Sequence, residues 1–326
     1  MDFNDVIGHE KIISNLKNTI RNDHVAHSYL FEGSKLIGKE TLGKVFAKTL
    51  LCEKRSVEPC NICQSCIQFD KTNHPDFKII YPDGQSFKKD QAEEIQRDIR
   101  IKPFNSYRKV YILKDIEKMT IEAQNSFLKT LEEPPEYAVI IMTTVNKYKL
   151  VPTILSRCQT INFTLVESSK IEKSLVERLK KSDAEAKFLS LFSNGIVGKA
   201  IALSESEDFK KIREELITAI DTTLNEDRTK VFSTSEFFQE NKDDIEDILD
   251  MILLWFRDIL IYKESNNENY LVNKDKVHTI INHSKNLNIE KIHDIIETVI
   301  NTKESIDSKV NFGLAIEMML LQIQEV

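Results

Sequence analysis

The first half of the chain alternates short apolar runs with segments of helical periodicity. The stretch "HSYLFEG", which ends at Gly33, predicts a short strand that leads into a loop. Apolar residues from Leu42 to Leu50 then recur at helical spacing, so a strand, a loop and a helix are predicted in that order. Further strands are predicted at Phe77 to Tyr81, Lys109 to Leu113, Ala138 to Thr144 and Gln159 to Phe163.

Helical patterns separate these strands. One of them runs from Glu122 to Leu131 and is stopped by Pro134 and Pro135. Buried strands that alternate with helices are typical of a parallel sheet covered on both faces, and such a sheet binds ligands at the carboxyl ends of its strands. We therefore predict an α/β domain with its site at that edge.

The strand patterns stop at about residue 165, and the rest of the chain has helical periodicity. A short set of helices, which contains "SNGIVGKA", is predicted to about residue 205. Longer amphipathic helices follow, for example the one whose apolar residues run from Ile245 through Phe256 to Ile259. An all-α second half is the expectation.

Composition narrows the class of protein. The 326 residues are 41% hydrophobic and 30% charged, which favours a soluble chain of two or three domains. No apolar run approaches the roughly 20 residues that cross a bilayer, and the acidic start "MDFNDVIGHE" lacks the apolar core of a signal peptide, so a cytoplasmic protein without membrane contact is expected. The net charge of −7 argues against a chain that coats nucleic acid by itself, so any contact with DNA is expected to be local or shared with partners.

The stretch "GSKLIGKET" resembles a phosphate-binding loop with one chemical group missing. Gly33, Gly38 and Lys39 match the pattern Gly-x-x-x-x-Gly-Lys-[Ser/Thr], in which backbone amides and the lysine bind phosphates. Glu40 stands where the Mg²⁺-binding hydroxyl is needed. A chance match is the alternative, but the strand before the loop and the amphipathic helix after it favour a true phosphate loop.

A second departure follows the strand "KVYIL". An ATPase of this topology needs Asp-Glu there, to hold Mg²⁺ and to activate water, whereas this chain has Lys114 and Asp115. An ammonium beside a bound metal replaces attraction with repulsion of about 4 kcal/mol at ~4 Å and an effective dielectric near 20. We therefore expect no ATP hydrolysis. Gly33, Gly38 and Lys39 are the candidate nucleotide-binding residues of a degenerate loop, and the alternatives of a loop that still binds ATP and a vestigial loop stay open.

Four cysteines give an independent signal. Seven, two and two residues separate them, a spacing that lets four thiolates surround one tetrahedral Zn²⁺ and leaves no open position for catalysis. A redox pair or a disulfide is the alternative, but a reducing cytosol favours a structural zinc site. His74 and Cys158 are not expected to join it. The predicted ligands are Cys52, Cys60, Cys63 and Cys66.

Arg157, in "VPTILSRCQTI", follows a helical pattern and precedes the last predicted strand. This position brings it to the edge of the domain, away from the domain's own phosphate loop. By itself it could be a surface arginine at a helix end. Together with a defective loop, it favours an arginine that is offered to the ATP of a neighbouring subunit.

The order of these motifs resembles the delta-prime subunits of bacterial DNA polymerase III clamp loaders, within the AAA+ family. The most specific pair is "LKTLEEPP", from Leu128 to Pro135, with Ser156, Arg157 and Cys158. The resemblance implies an AAA+ domain at 1–165 with a zinc module inserted at about 52–70, a helical lid at 166–205, and a helical collar at 206–326 that assembles a pentamer.

The resemblance also implies a function. It implies a non-hydrolysing subunit of a DNA-directed DNA polymerase holoenzyme, which joins gamma/tau-type and delta-type subunits in a hetero-pentamer and reaches primed DNA and the sliding clamp through that complex. Arg157 would serve a neighbour's ATP site, and the cofactor would be structural zinc. The alternatives are an ATP-hydrolysing subunit of the same complex and a separate zinc-containing DNA-binding protein, although the sequence has no basic stripe with aromatic residues.

Overall fold

A five-stranded parallel sheet forms the centre of the first half of the chain. The computed structural model describes residues 1–225 and 231–325. The strand order is β2-β3-β4-β1-β5, and every neighbouring pair is parallel, as the sequence predicted. Two of the strands end one residue earlier than predicted. The strands are β1 (Ser28–Glu32), β2 (Phe77–Ile80), β3 (Lys109–Leu113), β4 (Ala138–Thr144) and β5 (Gln159–Asn162).

Apolar cores lie on both faces of this sheet. In β1, Tyr29 and Phe31 belong to one hydrophobic cluster and Leu30 to another, because successive side chains of a strand point to opposite faces. All residues of β3 and β4 are buried. This burial explains the continuous apolar runs from which the strands were predicted.

Helices cover the sheet, and their first and last residues lie close to the glycine, capping and proline signals in the sequence. The helix after β1 begins at Lys39, directly after Gly38, whose φ of 109° suits glycine. The helix predicted at Glu122 to Leu131 spans one more residue at each end and is capped by the Thr120 side chain. The helices of this part are α1 (Glu10–Arg21), α2 (Lys39–Leu51), α3 (Gln64–Asp70), α4 (Lys89–Ile99), α5 (Ile121–Glu132) and α6 (Pro152–Leu155).

The rest of the chain is helical within the described residues, as predicted. In the longest helix, Ile245, Phe256 and Ile259, which mark the predicted apolar face, are all buried. None of the described helices combines the length and the apolar character that a membrane span needs. The helices are α7 (Ser168–Leu179), α8 (Asp183–Phe192), α9 (Val197–Glu205), α10 (Glu207–Asn225), α11 (Val231–Glu240), α12 (Ile245–Ser265), α13 (Val277–Asn286), α14 (Ile289–Asp307) and α15 (Phe312–Glu325).

The chain divides into two units by its internal contacts. The first unit comprises Met1–Ile171 and Gly195–Lys199, and the second comprises Glu172–Asn194 and Ala200–Val326. The division at residues 165 and 205 stays a prediction. Of the predicted collar at 206–326, residues 226–230 and 326 lie outside the described residues.

Candidate functional site

The degenerate phosphate loop connects the carboxyl end of β1 to α2. The Gly33 N–H donates to the carbonyl of Thr144, which ties the start of the loop to the end of β4 (3.2 Å). Lys39 is buried, and its ammonium donates to the loop's own carbonyls, those of Gly33 and Ser34 (2.7 Å for Ser34). Burial lowers the pKa of Lys39. The group that should meet phosphate oxygens is therefore bound to backbone oxygens of the same loop.

The two residues that depart from an active ATPase contact each other. Nζ of Lys114 lies 2.5 Å from Oε2 of Glu40, and Nζ of Lys44 lies 2.6 Å from Oε1 of the same carboxylate. Burial is the largest single influence and opposes ionisation of both partners, but the hydrogen bonds and neighbouring charges together outweigh it: the pKa of Glu40 is lowered and that of Lys114 is raised. An ion pair occupies the region where a hydroxyl and a carboxylate would hold Mg²⁺.

Asp115, which takes the position of the water-activating glutamate, lies at the carboxyl end of β3. Its φ is 52°, and its backbone N–H donates to Oγ1 of Thr143 in β4 (3.2 Å). Its carboxylate is 3.4 Å from Nζ of Lys118. Asp115 therefore already has a cationic partner within its own turn.

The start of α9 also contacts the phosphate loop, at Leu36. The Gly198 N–H, in the first turn of α9, donates to the carbonyl of Leu36 over 2.8 Å. A Cβ atom at Gly198 would lie 2.6 Å from that oxygen, so the approach requires glycine. Both residues belong to the first unit. The sequence indicated only helical character for "SNGIVGKA" and did not predict this contact.

The four predicted zinc ligands lie together. Cys52 directly follows α2, and Cys60 lies in the loop between α2 and α3. Cys63 caps α3, and Cys66 lies in its first turn. Their sulfur atoms all lie within 4.8 Å of one another, and Sγ of Cys52 is 4.0 Å from Sγ of Cys63. Sulfurs about 2.3 Å from one tetrahedral ion would be roughly 3.8 Å apart. The cluster therefore has the size that a metal ion needs.

The environments of these thiols differ. A hydrogen bond from the backbone of Ile62 is the main cause that lowers the pKa of Cys60 to about 6, whereas burial raises the pKa values of Cys52 and Cys66. A bound cation would favour the thiolate at every position. The cluster of cysteines can thus hold a metal ion, which would offset the cost of ionising the buried pair.

His74 and Cys158 do not join the cysteine cluster, as the sequence predicted. Nε2 of His74 is 2.9 Å from Oγ of Ser65, and its Nδ1 accepts from the N–H of Asp76. Ser65 in turn donates to the carbonyl of Leu51, at the end of α2. These hydrogen bonds connect His74 to the end of α2 and the start of α3, next to the cysteines.

Arg157 lies between α6 and β5, as predicted. Its carbonyl accepts from the buried Ser28 hydroxyl (2.7 Å), which fixes the backbone against β1. Its side chain is 33% exposed, and Nη2 is 2.8 Å from Oε1 of Glu132 at the end of α5. Nη1 donates to the carbonyl of Thr153 (2.9 Å). The sequence predicted the position of Arg157 but not its carboxylate partner.

Comparison with known proteins places the chain in a family. A family model described as DNA polymerase III, delta subunit, matches residues 8–167, and one for the C terminal of the delta subunit matches residues 207–325. DNA polymerase III subunit delta' of Bacillus subtilis is 32% identical over 319 residues, which cover 97% of this chain and 96% of that protein. The chain belongs to the DNA polymerase III delta-prime family.

Similarity extends beyond this delta-prime relative. DNA polymerase III subunit tau of B. subtilis is 31% identical over 299 residues, which cover 84% of this chain and 53% of that protein. The crystal structure of a DNA polymerase III gamma subunit-related protein from Thermotoga maritima matches with a TM-score of 0.47 and 20% identity, covering 96% of this chain and 98% of that one.

Proposed function

We propose that this delta-prime family member is a non-hydrolysing subunit of a DNA polymerase III clamp loader. It acts in DNA replication as a scaffold and supplies Arg157 to the ATP site of a neighbouring subunit. The partners are gamma/tau-type and delta-type subunits in a hetero-pentamer, which loads the sliding clamp onto primed DNA. The full-length similarity to a delta' subunit supports this role. A role in replication implies a cytoplasmic location in a bacterium.

The ion pair between Glu40 and Lys114 carries the non-hydrolysing part of the proposal. Mg²⁺ requires oxygen ligands, but the only carboxylate of this pair is already bound by two ammonium groups, from Lys44 and Lys114. A metal ion would have to displace these cations, and the ammonium of Lys114 would then repel it. Lys39 must also leave two backbone carbonyls before it can meet a phosphate.

Arg157 supports the second part of the proposal. Phosphoryl transfer develops charge on the γ-phosphate oxygens, and an arginine from a neighbouring subunit can stabilise it. The guanidinium is partly exposed, while its backbone is fixed by the Ser28 hydroxyl. A subunit that does not hydrolyse ATP can thereby control hydrolysis in its neighbour.

We further propose that Cys52, Cys60, Cys63 and Cys66 bind one structural Zn²⁺. The size of the cluster and its four-sulfur composition fit a closed tetrahedral site without an open position for substrate. Zinc would join the end of α2 to the start of α3.

ATP turnover by the purified chain tests the non-hydrolysing proposal. We expect no turnover above background with Mg²⁺, and no further change in the Lys39→Ala variant. Turnover that Lys39→Ala abolishes would show instead that the chain is an ATP-hydrolysing subunit. Mixing the chain with the other clamp-loader subunits of its genome tests the scaffold role, because a chain that enters no complex with them cannot serve it.

A further inference from the structure

Glu132 and Arg157 join the two motifs that most resemble the clamp-loader family. Glu132 belongs to "LKTLEEPP" and ends α5, whereas Arg157 belongs to "ILSRCQTI" and lies between α6 and β5. The fold brings the side chains together, with 2.8 Å between Nη2 of Arg157 and Oε1 of Glu132. A carboxylate from one motif thus binds the guanidinium of the other.

The position of Glu132 is unfavourable for a carboxylate without a partner. The carboxyl end of a helix carries partial negative charge, which repels an acidic side chain. Glu132 and Glu133 both occupy this end of α5. Of these two, only Glu132 has an ion-pair partner among residues 1–225 and 231–325. The guanidinium of Arg157 offsets the repulsion at Glu132. This contact distinguishes two adjacent glutamates of the same motif.

The remaining contacts of Arg157 fix its backbone and one end of its guanidinium, while Glu132 is its charged partner. The Arg157 N–H donates to the carbonyl of Ile154 (3.1 Å), and its carbonyl accepts from Ser28. Beyond the backbone, Nη1 donates to the carbonyl of Thr153, with Oγ of Ser156 at the longer distance of 3.4 Å. A guanidinium has five N–H donors, so these contacts leave donors for a phosphate.

We propose that Glu132 is a positioning residue for Arg157. It holds the guanidinium in one orientation at the edge of the domain, so that less rotamer freedom is lost when the arginine meets a neighbour's phosphate. This inference rests on the proposed function of Arg157. It adds a residue that acts only through the arginine.

The test uses the complete complex reconstituted with variants of this chain. Glu132→Gln keeps the shape of the side chain and removes its charge, and Glu133→Gln is the matched control. In pre-steady-state ATP hydrolysis, Glu132→Gln should slow the site served by Arg157 by about two- to fivefold, the range expected of an exposed ion pair. Glu133→Gln should match wild type, and Glu132→Asp, which restores the charge, should recover part of the loss.

A double variant separates positioning from a general structural role. If Glu132 acts through Arg157 alone, then Glu132→Gln adds no loss in the Arg157→Ala background. A further loss there, or wild-type or faster hydrolysis in Glu132→Gln alone, overturns the inference. Wild-type hydrolysis in Arg157→Ala would instead overturn the arginine-donor function itself. Circular dichroism and zinc content of each variant control for folding.

Discussion

Glu40 stands where the phosphate-loop pattern has a metal-binding hydroxyl, and its carboxylate binds two lysines. Lys44 comes from the same helix and Lys114 from the end of β3, so the carboxylate joins α2 to the sheet. The pair is partly buried, with 29% of the Glu40 side chain and 25% of the Lys114 side chain exposed. Removing one partner of such a pair should therefore cost more than in a fully exposed pair and less than in a fully buried one.

At the residue scale, we predict that Glu40→Ala destabilises the protein more than Lys114→Ala. Removing Glu40 leaves both ammonium groups without their carboxylate, whereas removing Lys114 leaves Glu40 bound to Lys44. The expected costs are about 1–2 kcal/mol for Glu40→Ala and about 1 kcal/mol or less for Lys114→Ala. Urea unfolding at neutral pH measures both. Equal losses, or a larger loss for Lys114→Ala, would be inconsistent with this arrangement.

The same pair predicts a pH dependence. The folded pKa of Glu40 lies below the ordinary value that it has in the unfolded chain, so its contribution to stability is complete at neutral pH and is lost as the pH falls through the folded pKa. The difference in stability between wild type and Glu40→Ala should therefore shrink in acid. A difference that stays constant from neutral pH into acid would count against the ion pair.

At the scale of elements, the contact between α9 and the phosphate loop depends on Gly198. We predict that Gly198→Ala lowers the free energy of unfolding by about 1–3 kcal/mol, because the added methyl group would overlap the Leu36 carbonyl. Gly43→Ala, inside α2, is the control: its Cβ would meet no atom closer than 3.4 Å, and alanine favours a helix. Thermal unfolding compares them. A Gly198→Ala variant as stable as Gly43→Ala would refute the close approach.

The metal site is a second prediction at this scale. Protein purified without chelator should contain one zinc per chain, and Cys63→Ser should lose it, whereas Cys158→Ser, outside the cluster, should retain it. Loss of zinc should loosen the segment between α2 and β2 more than the sheet, because metal binding is coupled to local folding. Metal analysis and hydrogen exchange measure the two effects. Zinc retained by Cys63→Ser would remove that cysteine from the ligand set.

At the scale of the whole molecule, the sequence predicted the strands and helices more completely than it predicted the side-chain contacts of the candidate site. The apolar runs predicted each strand to within one residue, because both faces of the sheet are buried and leave a continuous signal. The pairing of Glu40 with Lys114 was not predictable from local pattern, since it depends on how α2 packs against β3. The same holds for Glu132 with Arg157, which depends on how the end of α5 lies against the segment between α6 and β5.

The central claim is that this subunit hydrolyses no ATP itself and acts on a neighbour's ATP through Arg157. Pre-steady-state ATP hydrolysis by the reconstituted complex tests it most directly, with Arg157→Ala, Arg157→Lys and, as control, Arg21→Ala, another exposed arginine at a helix end. We expect both Arg157 variants to assemble and retain zinc, yet to slow one ATP site by at least about tenfold, because lysine lacks the guanidinium fork, while Arg21→Ala matches wild type. Wild-type hydrolysis at every site with both Arg157 variants would contradict the account and reduce Arg157 to a surface charge.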